Sequence, residues 1–121
     1  MKNGRAPILL IEDDEAIQSA IQDALAMEGH TVLTAPHGGV ALELLARQPV
    51  SLILLDIKMP VMDGWAFARA YRQQAAQPAP IVVLTAARDS AQWAREVEAA
   101  AYLAKPFGLD ELYELVDRYS A

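Results

Sequence analysis

Four short apolar runs in this chain each lead straight into a polar residue able to do chemistry. Ile8-Leu9-Leu10-Ile11 leads into Glu12-Asp13-Asp14, and Leu52-Ile53-Leu54-Leu55 into Asp56. Ile81-Val82-Val83-Leu84 leads into Thr85, and Tyr102-Leu103-Ala104 into Lys105-Pro106. Runs of this length, bounded by loop signals and separated by helix-like stretches, read as parallel strands buried on both faces. In an open parallel sheet the carboxyl ends of all strands lie on one edge, and ligands bind there. Carboxylates, a hydroxyl and an ammonium that are far apart in the chain are therefore expected to converge.

The segments between the runs carry helical periodicity. Ile17, Ala20, Ile21, Ala24 and Leu25 recur at helical spacing within Glu15 to Glu28, and Gly29 ends that helix. Thr31–Ala35 reads as a further strand. A second helix with Ala41, Leu44 and Leu45 inward stops before Pro49. Pro60 and Asp63-Gly64 make Lys58 to Gly64 a loop. Helices follow over Trp65 to Gln74 and over Ser90 to about Ala99, with Trp93 and Val97 one turn apart; Trp65 is expected to pack. A short strand spans Ala101–Ala104, and Leu109, Leu112, Leu115, Val116 and Tyr119 supply the apolar side of a last helix. Five such βα units imply an α/β fold, a three-layer sandwich with right-handed crossovers. The 121 residues are expected to form a single domain, core about residues 7–120, with no output domain in this chain.

Charge and composition exclude several classes of function. Lys and Arg number 10 against 16 Asp and Glu, a net charge of −6, which argues against direct contact with nucleic acid. There is no cysteine, hence no disulfide and no thiolate metal site, which fits a cytoplasmic protein. No apolar stretch approaches membrane-spanning length. The histidines, His30 and His37, read as surface loop residues beside the second strand.

The converging residues form a kit for phosphoryl transfer. Glu12, Asp13 and Asp56 repel one another at a shared edge, and a hard divalent cation such as Mg²⁺ is the natural neutraliser. Lys105 is a point charge suited to a phosphoryl oxygen, and Thr85 offers a hydroxyl at the same edge. One carboxylate must then be the nucleophile, giving an aspartyl phosphate. Asp56 fits best, since it stands alone after the central apolar run. Asp14 is read instead as the cap of the first helix.

At this point the chain resembles a known family, the receiver domain of two-component response regulators. The stretches that carry the resemblance are Ile8 to Asp13, Asp56-Ile57-Lys58-Met59-Pro60-Val61-Met62-Asp63-Gly64, Leu84-Thr85-Ala86, and Tyr102-Leu103-Ala104-Lys105-Pro106-Phe107. The resemblance implies a flavodoxin-like sheet of strand order 2-1-3-4-5, an order for which a receiver is a standard example. It implies that Asp56 accepts the phosphoryl group and that Asp13 binds Mg²⁺ directly, with Glu12 assisting through water. Asp56 and the backbone carbonyl of Lys58 would complete the protein's metal ligands. Thr85 would hydrogen-bond the phosphoryl group, Lys105 would pair with it, and Tyr102 would be the switch aromatic that follows Thr85. The Lys105–Pro106 peptide would be cis.

The implied protein is a phosphorylation-controlled switch rather than a turnover enzyme. A histidine kinase or histidine phosphotransfer protein would be the donor, docking partly on Ile17 and Ile21, and a downstream protein would read the result. A phosphorylation-dependent dimer is compatible with the family. Two alternatives differ in class. A phosphohydrolase with an Asp nucleophile needs a second acid two residues later, where this chain has Lys58. A phosphate-independent adaptor would not need the complete residue set. One departure from the family pattern falls between Thr85 and Lys105, where Glu98-Ala99-Ala100-Ala101 replaces the usual Gly-Ala, so the fourth helix is expected to be shortened or shifted.

Overall fold

In the computed structural model, residues 6–56, 64–86 and 90–120 are described. In chain order the elements are β1 (Ile8–Ile11), α1 (Glu15–Met27), β2 (Val32–Ala35), α2 (Gly38–Arg47), β3 (Leu52–Asp56), α3 (Gly64–Gln74), β4 (Ile81–Ala86), α4 (Ser90–Glu96), β5 (Ala101–Lys105) and α5 (Leu109–Tyr119). The strands form one parallel sheet in the order β2-β1-β3-β4-β5. Among the described residues, no helix is long and apolar enough to cross a membrane.

Strand alternation divides the core in two. Leu9, Ile11, Ile53, Leu55, Ile81 and Val83 face one side, where Ala41 of α2 and Phe67, Ala68 and Tyr71 of α3 cover them. Ile8, Leu10, Leu52, Leu54, Val82, Leu84 and Leu103 face the other, under Ile21 and Leu25 of α1 and Leu112 and Val116 of α5. Every residue of β1 and β3 is buried, as expected for a sheet with helices on both faces. Phe67 and Tyr71, one turn apart on α3, stack with ring centroids 5.9 Å apart.

Element boundaries fall within a residue or two of the sequence expectation, with α4 the exception. It stops at Glu96 instead of continuing to Ala99, because Glu98 takes a left-handed backbone with φ of 55°. Val97, expected inside the helix, lies just past it and packs into the α2–α3 side of the core. The side chain of Trp93 lies outside the described ones. Trp65 is half-buried as expected, and it also donates its indole N–H to Glu96.

Two surface expectations are corrected, for His30 and Ile21, and His37 keeps its place in the loop after the second strand while gaining a role. His30 is buried, with its imidazole 3.7 Å from Asp117 of α5, because α1 ends in a tight turn that directs it under that helix. His37 caps α2: its Nδ1 accepts from the amides of Gly39 and Val40, a part more often played by a short polar side chain. Ile21 belongs to the core, and of the two expected docking residues on α1 only Ile17 is exposed.

Candidate functional site

The acidic run after β1 is split three ways by the local backbone. The Glu12 amide still donates to Ala35 of β2 at 3.0 Å, so the residue extends the strand and its carboxylate goes inward, 1% exposed. Asp13, next in line, is exposed. Asp14 caps α1, its Oδ1 accepting from the amides of Ala16 at 2.9 Å and Ile17 at 3.1 Å. The Asp14 amide in turn donates to Glu12 Oε2 at 3.3 Å.

Asp56 is the last residue of β3, buried, and level with Leu84 of β4. Carboxylate oxygens of Glu12, Asp13 and Asp56 all lie within 4.8 Å of one another. Lys105 closes the group from the end of β5, with Nζ 3.5 Å from Glu12 Oε1 and 3.9 Å from Asp56 Oδ2. Thr85 is buried at the end of β4. The carbonyl of Lys58 lies outside the described residues. The Lys105–Pro106 peptide is cis.

Strand parity sorts these residues by face. Glu12 follows Leu10, Asp56 follows Leu54 and Lys105 follows Leu103, each by two positions, so all three share the α1–α5 side of the sheet. Thr85 follows Val83, and Tyr102 lies level with Val83 across the β4–β5 ladder, so these two share the opposite side. Tyr102 is 45% exposed.

The site carries more negative charge than its own lysine can balance. Burial pushes the Glu12 carboxyl up from 4.5 to about 7, helped by hydrogen bonding to and repulsion from Asp56, while Lys105 opposes the rise. A cluster of oxygen donors with uncompensated charge fits a hard divalent cation such as Mg²⁺, and the described residues offer it no sulfur or imidazole.

One contributor escaped the sequence reading. Gln18, in the first turn and a half of α1, donates its side-chain amide to the Glu12 carbonyl at 3.0 Å and ties down the turn that carries the acids. A glutamine on a polar helix face gives no signal of such a bond beyond its closeness to the acidic run.

The family model for the response regulator receiver domain matches residues 8–117. The chain belongs to that family. It is 38% identical to the response regulator protein FleR of Pseudomonas aeruginosa over 117 residues, covering 95% of this chain and 24% of FleR. The chain thus spans about a quarter of that relative's length. Among solved structures, the receiver domain of sensor histidine kinase PA1611 from Pseudomonas aeruginosa, with a magnesium ion coordinated in its active site cleft, is 35% identical. Its TM-score is 0.84, covering 96% of this chain and 98% of that one. The response regulator TrrA of Thermotoga maritima, in complex with Mg²⁺ and BeF, is 30% identical with a TM-score of 0.83, covering 94% and 98%. Receivers are the phosphate-responsive switches of two-component systems, which take a phosphoryl group from histidine kinases and act on downstream targets.

Proposed function

We propose that this chain works as one cytoplasmic receiver unit, core about residues 7–120, that accepts a phosphoryl group on Asp56 and switches a partner-binding surface. The observation that carries the proposal is the convergence of Glu12, Asp13, Asp56 and Lys105 from three strand ends into one acidic cluster faced by a single ammonium. An oxygen of Asp56 forms the new O–P bond as the P–N bond of a donor phosphohistidine breaks. The imidazole leaves with the electron pair and picks up a proton. The chain's contribution is placement and charge, which dominate catalysis in phosphoryl transfer.

Glu12, Asp13, Asp56 and the Lys58 carbonyl are proposed to hold Mg²⁺, which when bound neutralises charge on the phosphoryl oxygens and on the carboxylates. Lys105 pairs with the phosphoryl group once Asp56 carries it. Thr85 hydrogen-bonds the same group from the neighbouring strand end. Its movement is read by Tyr102, which shares its face of the sheet and is partly exposed in this arrangement. The protein promotes only its own phosphorylation and dephosphorylation, with a histidine kinase or phosphotransfer protein as donor and a further protein as reader.

Incubation with Mg²⁺ and acetyl phosphate tests the assignment. One base-labile, acid-stable phosphoryl group should add to the wild-type chain, seen as a single mass increment, and none to Asp56→Asn. Unchanged labelling of Asp56→Asn would remove Asp56 from the role.

A further inference from the structure

The end of α4 lacks the residue that such helix ends normally use. The amides of Glu98 and Ala99 donate back to Arg95 O at 3.2 Å and Ala94 O at 2.8 Å, the paired bonds of a Schellman turn. The same turn closes α1, where the amides of Gly29 and His30 donate to Ala26 O at 3.0 Å and Leu25 O at 3.1 Å. The left-handed residue there is glycine, with φ of 88°. At α4 it is Glu98, whose Cβ disfavours that backbone.

Two side chains of α3 hold the α4 turn from outside. The Arg72 guanidinium donates to the carbonyls of Val97 and, at 2.8 Å, of Glu98, so one planar fork satisfies two consecutive carbonyls. Trp65, two helical turns earlier on the same face of α3, donates Nε1–H to Glu96 Oε1 at 2.9 Å. A solvent-open cleft of about 330 Å³ between these elements is lined by residues that include Trp65, Arg69, Arg72, Glu96 and Glu98. The two elements are therefore joined here by directed hydrogen bonds across incompletely packed space. Two residues beyond Glu98, the Ala100 amide donates to Ile81 O at 2.8 Å, and the chain enters β5, which carries Tyr102 and Lys105.

We propose that Arg72 is a positioning residue: it anchors the C-terminal end of α4 to α3 in place of a glycine cap, and thereby sets the resting position of the face that carries Tyr102. The anchor itself stands on geometry alone; its link to signalling rests on the reading of Asp56 as phospho-acceptor. The anchor holds the arrangement in which Tyr102 is partly exposed, so releasing it lowers the cost of leaving that arrangement.

Amide hydrogen exchange at Glu98 and Ala99 in Arg72→Ala tests the anchor. Exchange there should quicken by about tenfold, and Glu98→Gly added to Arg72→Ala should return it to the wild-type rate. Unchanged exchange in Arg72→Ala overturns the proposal. So does a failure of glycine to rescue, because Arg72 would then act through packing of its stem. Beryllofluoride with Mg²⁺, as a phosphoryl analogue, tests the link. Its apparent affinity should rise by about fivefold in Arg72→Ala and fall back in the double variant. Equal affinity in all three proteins overturns the link to signalling. Absence of binding to the wild-type chain itself would instead count against the phospho-acceptor reading, and exchange would still decide the anchor.

Discussion

Glu12 makes the metal-free protein lose stability as pH rises, which is the reverse of ordinary acid denaturation. Its carboxyl is raised from 4.5 to about 7, chiefly by burial and then by Asp56. Below about pH 4.5 the group is protonated both folded and unfolded, so it contributes no pH dependence. Between that pH and about 7 the unfolded chain releases the proton and the folded chain keeps it, so the unfolded state binds fewer protons and stability falls. Each pH unit in this window costs somewhat more than about 1 kcal/mol, and the penalty accumulates to about 3 kcal/mol at neutral pH. Glu12 is 1% exposed, so solvent screening does little to reduce it.

Urea unfolding in EDTA at several pH values, for wild type and Glu12→Gln, isolates the effect. Subtracting the two curves removes the carboxylates distant from Glu12 and leaves its joint titration with Asp56. The variant should be the more stable by about 3 kcal/mol at pH 7.5 and should lose that advantage toward pH 4.5. Saturating Mg²⁺ should reverse the order at pH 7.5, because binding then favours the ionised wild-type side chain. Parallel curves for the two proteins across this range in EDTA would refute the reasoning.

Other substitutions probe separate parts of the structure. Asp14→Ala removes two hydrogen bonds from the start of α1 and should cost about 1 kcal/mol in urea unfolding. Its Mg²⁺ affinity should stay near wild type; a loss there would shift the acid assignments by one residue. Phe67→Ala opens a fully buried site stacked on Tyr71 and should cost about 3 to 5 kcal/mol, read as a lower urea midpoint. Gly29→Ala forces a side chain into φ of 88° and should cost about 1 to 2 kcal/mol by the same assay.

The strands and the site were the most legible parts of the sequence, and for one reason. Fully buried strands leave uninterrupted apolar runs, and the run Leu52–Leu55 with the Asp56 that follows it coincides with β3, because Asp56 is both the strand's end and its first polar group. Asp14 is separable from Glu12 and Asp13 by counting from the Ile8–Ile11 run. His30 is misplaced because its burial depends on how α5 closes over the sheet, which local patterning does not encode, whereas the burial of Ile21 follows the apolar stripe it shares with Ala24 and Leu25. The end of α4 was anticipated as irregular from the missing glycine, yet Arg72, distant in sequence, decides its geometry. Side chains that satisfy another segment's backbone carbonyls leave no periodic trace.

Parity along the strands also explains how one site can serve two tasks on the proposed roles. Glu12, Asp56 and Lys105 lie on the α1–α5 side, so the charges that govern transfer are held together on one face. Thr85 and Tyr102 lie on the other, beside the short α4. A phosphoryl group on Asp56 stands at the sheet edge, where a hydroxyl from the next strand can meet it without entering the acidic cluster. On those proposed roles, movement of Thr85 toward that group would displace the α4 side and leave the carboxylates in place. The proposed transfer residues thus share one face of the sheet, and the proposed switch residues share the other, where the helix is the shortest among the described residues and its end is held by side chains instead of glycine.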